Sequence, residues 1–140
     1  MKTFLAFILI SILVATAYSQ STTVHKDKYG NTTSTTKNDK NKEENKDRYG
    51  NSTGSATRSG NTTTTKDKYG NTTGYLKHDG DKTVVKDKYG NSVGSNVTKG
   101  NTTTHKDKYG NTTGTSVQSG NTATHKDRYG NTTGNSKKTK

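Results

Sequence analysis

Lys66-Asp67-Lys68-Tyr69-Gly70-Asn71, preceded by Thr62-Thr63-Thr64-Thr65 and followed by Thr72-Thr73-Gly74, is the stretch on which the reading turns. Asp67 and Gly70 occupy the first and fourth positions of a type I turn, the positions those residues prefer. Gly supplies the left-handed conformation that a bulged hairpin needs. Threonine on either side is β-branched and suits a strand with two wet faces. The stretch is a hairpin in miniature.

Working outward, the same hexad, Lys-Asp-(Lys/Arg)-Tyr-Gly-Asn, begins at Lys26, Lys46, Lys66, Lys86, Lys106 and Lys126, a strict period of twenty. Ten residues on, Ser59-Gly60, Asp79-Gly80, Lys99-Gly100 and Ser119-Gly120 offer a second turn. The order is turn, short strand, turn, short strand. A meander of hairpins and a β-solenoid with ten residues per coil both fit it. Strands lie about 4.8 Å apart, so the repeat tyrosines are expected every ~9.6 Å along one edge. Residues 34–45, a run of Lys, Asn, Asp and Glu, break both patterns and read as a disordered, solvated interruption.

Composition pulls toward disorder. From Gln20 onward 16 of 121 residues are apolar, with Leu76 the single leucine, and the chain has no cysteine to form a disulfide framework. That is too little apolar surface for a conventional core. The expected fold class is therefore a low-complexity tandem repeat, largely disordered or β-rich, without a helical domain. A preorganised catalytic pocket is not expected, nor any catalytic residue, cofactor or metal site.

Lys2, the apolar run from Phe4 to Ala15, and the small residues Ala15, Ala17 and Ser19 form a secretory signal peptide over 1–19. The apolar run of about twelve residues falls short of the ~20 of a spanning helix, so no membrane span is expected. The tandem-repeat region, 20–140, is then secreted and extracellular, with net charge +12 over the whole chain and one less once Lys2 is removed.

Such a chain has four kinds of group to offer. Tyr29, Tyr49, Tyr69, Tyr89, Tyr109 and Tyr129, with the preceding Lys28, Lys68, Lys88 and Lys108, are candidates for surface binding or crosslinking. Eight sequons at Asn31, Asn51, Asn61, Asn71, Asn96, Asn101, Asn111 and Asn131 are candidates for N-glycosylation. Thr62 and Thr64, Thr102 and Thr104, and Thr122 and Thr124 alternate as an ice-binding array would. His25, His105 and His125 share one repeat phase, but the other repeats carry Asn45, Thr65 and Val85 there, so solvated side chains are expected rather than a metal cage.

In composition and repetition over Lys26 to Gly134 the chain resembles secreted adhesive and matrix proteins such as the tyrosine- and lysine-rich repeats of molluscan foot proteins. It differs in lacking proline and in its repeat unit. The resemblance implies crosslinking through tyrosine and displacement of surface cations by lysine. The expectation is a secreted basic structural protein of adhesive, silk, matrix or coat type. Its partners are itself and anionic or polar extracellular surfaces, glycans included, and secretion argues against nucleic acid. Ice binding and cationic host defence are the alternatives. The second lacks the amphipathic apolar face that membrane disruption needs.

Overall fold

The computed structural model describes residues 20–139, so the signal-peptide reading of 1–19 lies outside the described residues. Twelve strands follow one another: β1 (Ser21–Asp27), β2 (Thr32–Asp39), β3 (Lys42–Asp47), β4 (Ser52–Ser59), β5 (Thr62–Asp67), β6 (Thr72–Asp79), β7 (Lys82–Asp87), β8 (Ser92–Lys99), β9 (Thr102–Asp107), β10 (Thr112–Ser119), β11 (Thr122–Asp127) and β12 (Thr132–Thr139). Each pairs antiparallel with its neighbours in sequence, and β12 pairs with β1, so the meander closes into an up-and-down barrel.

Two turns alternate, one at each rim. The hexad turn carries Gly30, Gly50, Gly70, Gly90, Gly110 and Gly130 at φ of 87 to 90°, as the bulged hairpin requires. At the opposite rim two residues, such as Gly60-Asn61, join strands whose last pair is Ser59 with Thr62. Only the first of the two has positive φ, the pattern of a II′ turn. In the first repeat Lys40 takes that place, at φ 50°.

One more irregularity recurs in every repeat. His25 pairs with Ser34 and Lys26 with Thr32, so Thr33 bulges out. Thr53, Thr73, Val93, Thr113 and Thr133 do the same in later repeats. Where the bulged residue is Thr33, Thr53, Thr113 or Thr133, its hydroxyl donates to the carbonyl of His25, Asn45, His105 or His125 at 3.2 Å. The residue after the bulge is Gly in five repeats. A Cβ at Gly74 would collide with the Lys86 carbonyl, and one at Gly134 with the Lys26 carbonyl. The second contact crosses the closing seam, which therefore repeats the internal packing.

Closure follows from register. Each twenty-residue repeat advances the pairing by two residues, and six repeats bring the chain back to β1. Twelve strands with a shear of about 12 imply a tilt of ~35–40° and a backbone radius on the order of 10 Å.

The inside is mostly polar. Ala56 and Leu76 are the buried hydrophobic residues, beside buried Thr23, Thr36, Thr63, Thr65, Thr83 and Ser136. Ala56 pairs with Thr65, and Leu76 with Val85, giving one part of the wall a small apolar lining. The rest of that level is a belt of linked side chains. From Asn96 it runs through His105, Ser116, His125, Ser136, His25 and Thr36 to Asn45, each link 2.7–2.9 Å long.

Three expectations need correction. The described residues form a closed barrel rather than a disordered chain, because pairing every strand satisfies the backbone without an apolar core. A solenoid is excluded because the short turns reverse the chain at each step, whereas parallel coils need crossovers. Residues 34–45 interrupt the composition but not the ladder: β2 and β3 pair throughout, from Ser34 with Asp47 to Asp39 with Lys42.

Candidate functional site: a rim of cation-capped tyrosines

All six hexad turns lie at one rim of the barrel, since every odd-numbered strand runs toward it and every even-numbered strand away. Each turn is held by its aspartate. Asp67 Oδ1 accepts the Tyr69 and Asn71 backbone N–H at 2.9 Å, and Oδ2 accepts the Asn71 side-chain amide at 2.9 Å. Gly70 N donates to the Asp67 carbonyl at 3.1 Å, and Asp67 N to the Asn71 carbonyl at 2.9 Å. The Asn71 side chain is the main cause that holds the Asp67 carboxyl below its ordinary range, with the backbone N–H donors adding to it. Asp27, Asp47, Asp87, Asp107 and Asp127 make the same set. The acid of the hexad is thus committed to the turn, which is why it stands at every repeat.

With the turn fixed, the two residues between Asp and Gly point outward. Tyr29, Tyr49, Tyr69, Tyr89, Tyr109 and Tyr129 are 73–78% exposed, against a burial that aromatic rings usually seek. Each carries the preceding cation over its ring. Lys28, Lys68, Lys88 and Lys108 stand 4.9–5.0 Å from the centroids of Tyr29, Tyr69, Tyr89 and Tyr109. Arg48 stands 4.8 Å from the Tyr49 centroid, and Arg128 4.6 Å from that of Tyr129, whose hydroxyl it also bonds. These are cation–π distances. Arg48 and Arg128 were missing from the sequence-derived set of cations; the Lys/Arg alternation within the hexad was the signal that includes them.

The structure thus brings together the tyrosines and cations picked from the sequence, arranged around a ring rather than along a straight edge. Neighbouring units are two strands apart, about 10 Å. Sequon residues Asn31, Asn51, Asn71, Asn111 and Asn131 sit in the same turns, with their amides donated to the turn aspartates. Asn61 and Asn101 belong to the opposite rim, where Asn101 Nδ2 donates to the Gln118 carbonyl at 3.2 Å. Asn96 faces inward and joins His105 in the belt.

The threonine pairs and the histidines fare differently. Thr64 pairs with Tyr75 on one side and Thr57 on the other, so each threonine strand is separated from the next by a strand of other composition. The wall they share is curved. His25, His105 and His125 are half-buried in the belt rather than solvated, because their phase points into the barrel. Burial lowers the pKa of His25, His105 and His125 alike, that of His125 to about 4 with help from the other two. They are two strands apart with a serine hydroxyl between each neighbouring pair, and no metal-holding cluster is found among the described residues. No family model, curated protein or solved structure matches the chain.

Proposed function

We propose that this is a secreted protein that binds repetitive anionic extracellular surfaces, sulfated or carboxylated glycans in the first instance, through the six cation–tyrosine units of one rim. The observation that carries the reading is the ring itself: six copies of one exposed ring with a cation on it, spaced about 10 Å apart and facing one way. One exposed ion pair between a rim cation and an anionic group contributes only ~0.2–1 kcal/mol. Six held on one rigid frame engage together, so avidity replaces single-site affinity. Local donors keep the turn aspartates ionised, and two cations against one carboxylate leave each hexad with a net positive charge that sets the sign of the rim.

Two further features support an aqueous, surface-binding role. The outward phase of the odd strands ends in lysine at Lys26, Lys46, Lys66, Lys86, Lys106 and Lys126. A lipid-facing barrel would place an apolar band there. Closure also leaves no strand edge exposed among the described strands, so copies of the chain cannot pair edge to edge. A matrix role through tyrosine crosslinks uses the same exposed rings. Ice binding draws less support, since it asks for a flat face and the threonines lie on a curved and interrupted one.

The test is binding to immobilised heparin, with neutral dextran as control, for variants in which Lys/Arg and Tyr of one, two, three or all six hexads become Ala. Affinity should fall about 1.5–5-fold for each hexad removed. It should also fall with added salt. Unchanged affinity with all six removed would end the proposal.

A further inference from the structure

The belt inside the barrel has a proton count of its own. Seven hydrogen bonds link eight side chains, with the Oδ1 atoms of Asn96 and Asn45 as the two ends. Carbonyl oxygens only accept, so every bond must be supplied from the six members between them. A neutral imidazole, like a hydroxyl, has one proton to give. Six protons cannot fill seven bonds.

Two states make the belt whole. In one, a terminal amide turns so that its Nδ2 donates inward, and all bonds then run in one direction around the wall. In the other, one imidazole becomes imidazolium. If that is His125, it donates to Ser116 and Ser136, which pass their own protons to His105 Nε2 and His25 Nδ1. His105 Nδ1 then donates to Asn96 Oδ1, and His25 Nε2 to Thr36, which donates to Asn45 Oδ1. This is the state in which both carbonyls face the belt. His25 or His105 can carry the charge equally well, since shifting a proton across each serine moves it along. An eighth proton has no bond to occupy, and it would set two imidazoliums in one lining.

We propose that the belt is a single-proton site: it takes up one proton shared by His25, His105 and His125 with every bond kept, and it refuses a second until the barrel opens. A hollow of about 230 Å³ lies beside two of these rings, lined by His105, Thr113, Ser116, His125 and Thr133 among others. The surroundings of each histidine suit a shared charge. On β2 and β10, the strands beside His25, His105 and His125, the belt-level partners Thr36 and Ser116 are uncharged. On β8 the partner is Asn96. On β12 it is Ser136, with Lys138 in the next inward position and Lys137 outward. Toward the tyrosine rim stand Asp27, Asp107 and Asp127, each held by its turn. The next level inward also places Glu43, Arg58 and His78 on β3, β4 and β6. Among the described residues no carboxylate bonds directly to the belt.

The experiment is a nitrogen-detected NMR titration of the histidine rings of the protein from pH 8 to pH 3, read beside the dispersion of its amide signals. The expected result is that the fractional protonations of His25, His105 and His125 rise together and sum to one. The sum should pass one only as amide dispersion collapses. His78, bonded to Thr63 and Thr83 outside the belt, is the internal control and should titrate alone. Full protonation of all three rings in a barrel with unchanged amide signals would overturn the proposal. Ser116→Ala supplies a second reading, because it cuts the belt between His105 and His125. That removes two bonds and one donor and leaves five protons for five bonds, so uptake by the folded barrel should fall from one proton to none, and an unchanged uptake of one in a folded S116A barrel would equally overturn it.

Discussion

Lys40 is the one described residue other than glycine with a positive φ, and it stands where the other four turns of its rim have Gly60, Gly80, Gly100 and Gly120 at φ of 53–58°. Lys40→Gly should therefore stabilise the barrel. A non-glycine residue in the left-handed region costs about 1–2 kcal/mol. Glycine returns about 0.4–1 kcal/mol of that through the extra freedom it gives the unfolded chain. The net gain is about 0.5–1 kcal/mol. For a barrel of this length that corresponds to a rise in Tm of roughly 2–4 °C. The converse exchange, Gly60→Lys, should lower Tm by a similar amount. Nothing lies within 4 Å of a Cβ built at Gly60, so that cost is one of backbone conformation and not of collision. Thermal unfolding followed by circular dichroism near 215 nm is the assay. Shifts of the same sign for the two exchanges, or a lower Tm for Lys40→Gly, would refute the assignment of these turns and the pairing built on it.

Two further outcomes follow from the fold. Gly74→Ala presses a methyl group against the Lys86 carbonyl and should cost about 1–3 kcal/mol in a urea titration, whereas Gly70→Ala, with open space around its Cβ, should cost only the strain of its positive φ. Equal losses at the two positions would mean that the close approach after the bulge is not there. Acid should also weaken the barrel in a definite window. The folded pKa of His125 is lowered from 6.5 to about 4, first by burial and then by its two neighbours, so the unfolded chain binds more protons between those values. Stability is full above pH 6.5, falls on the way down to about pH 4, and levels below that as far as this group is concerned. The full shift would amount to about 3 kcal/mol, reduced to about 1–2 kcal/mol because the ring is half open to solvent. The rim aspartates are also lowered, by donors that favour their charged form, so their contribution has the same sign and is lost as pH falls through and below the ordinary carboxylate range. Urea midpoints at pH 7.5, 5.5 and 4.5 test this; a flat series would contradict the burial of the histidines.

How much of this was legible in the sequence divides along physical lines. The hexad turn was legible because its parts are local: Asp67 reaches donors two and four residues on, and Gly70 supplies its own φ. The cation–tyrosine unit was legible for the same reason, since Lys68 and Tyr69 are adjacent. Closure was not, because it depends on the sum of six small register steps, none of which a single repeat displays. The stretch 34–45 misled because its composition changes while its phase does not. Lys40-Asn41 keeps the turn, and Asn45 keeps the inward place that His25 holds one repeat earlier and accepts from Thr36 at 2.8 Å.

The histidines show why counting apolar side chains pointed toward disorder. That count assumes that what fills a barrel is hydrocarbon, and here much of the belt level is filled by groups that donate and accept. Ser116 sits between His105 and His125, and Ser136 between His125 and His25, so each serine takes a bond from one ring and gives one to the next. His25, His105 and His125 lie 80 and 20 residues apart in sequence, and Ser136 bonds His25 across 111 residues. Only the seam between β12 and β1 makes the last of these links. A polar interior of this kind is stable only when its members are satisfied together, so the belt and the closure imply one another. Neither can be read from any one repeat.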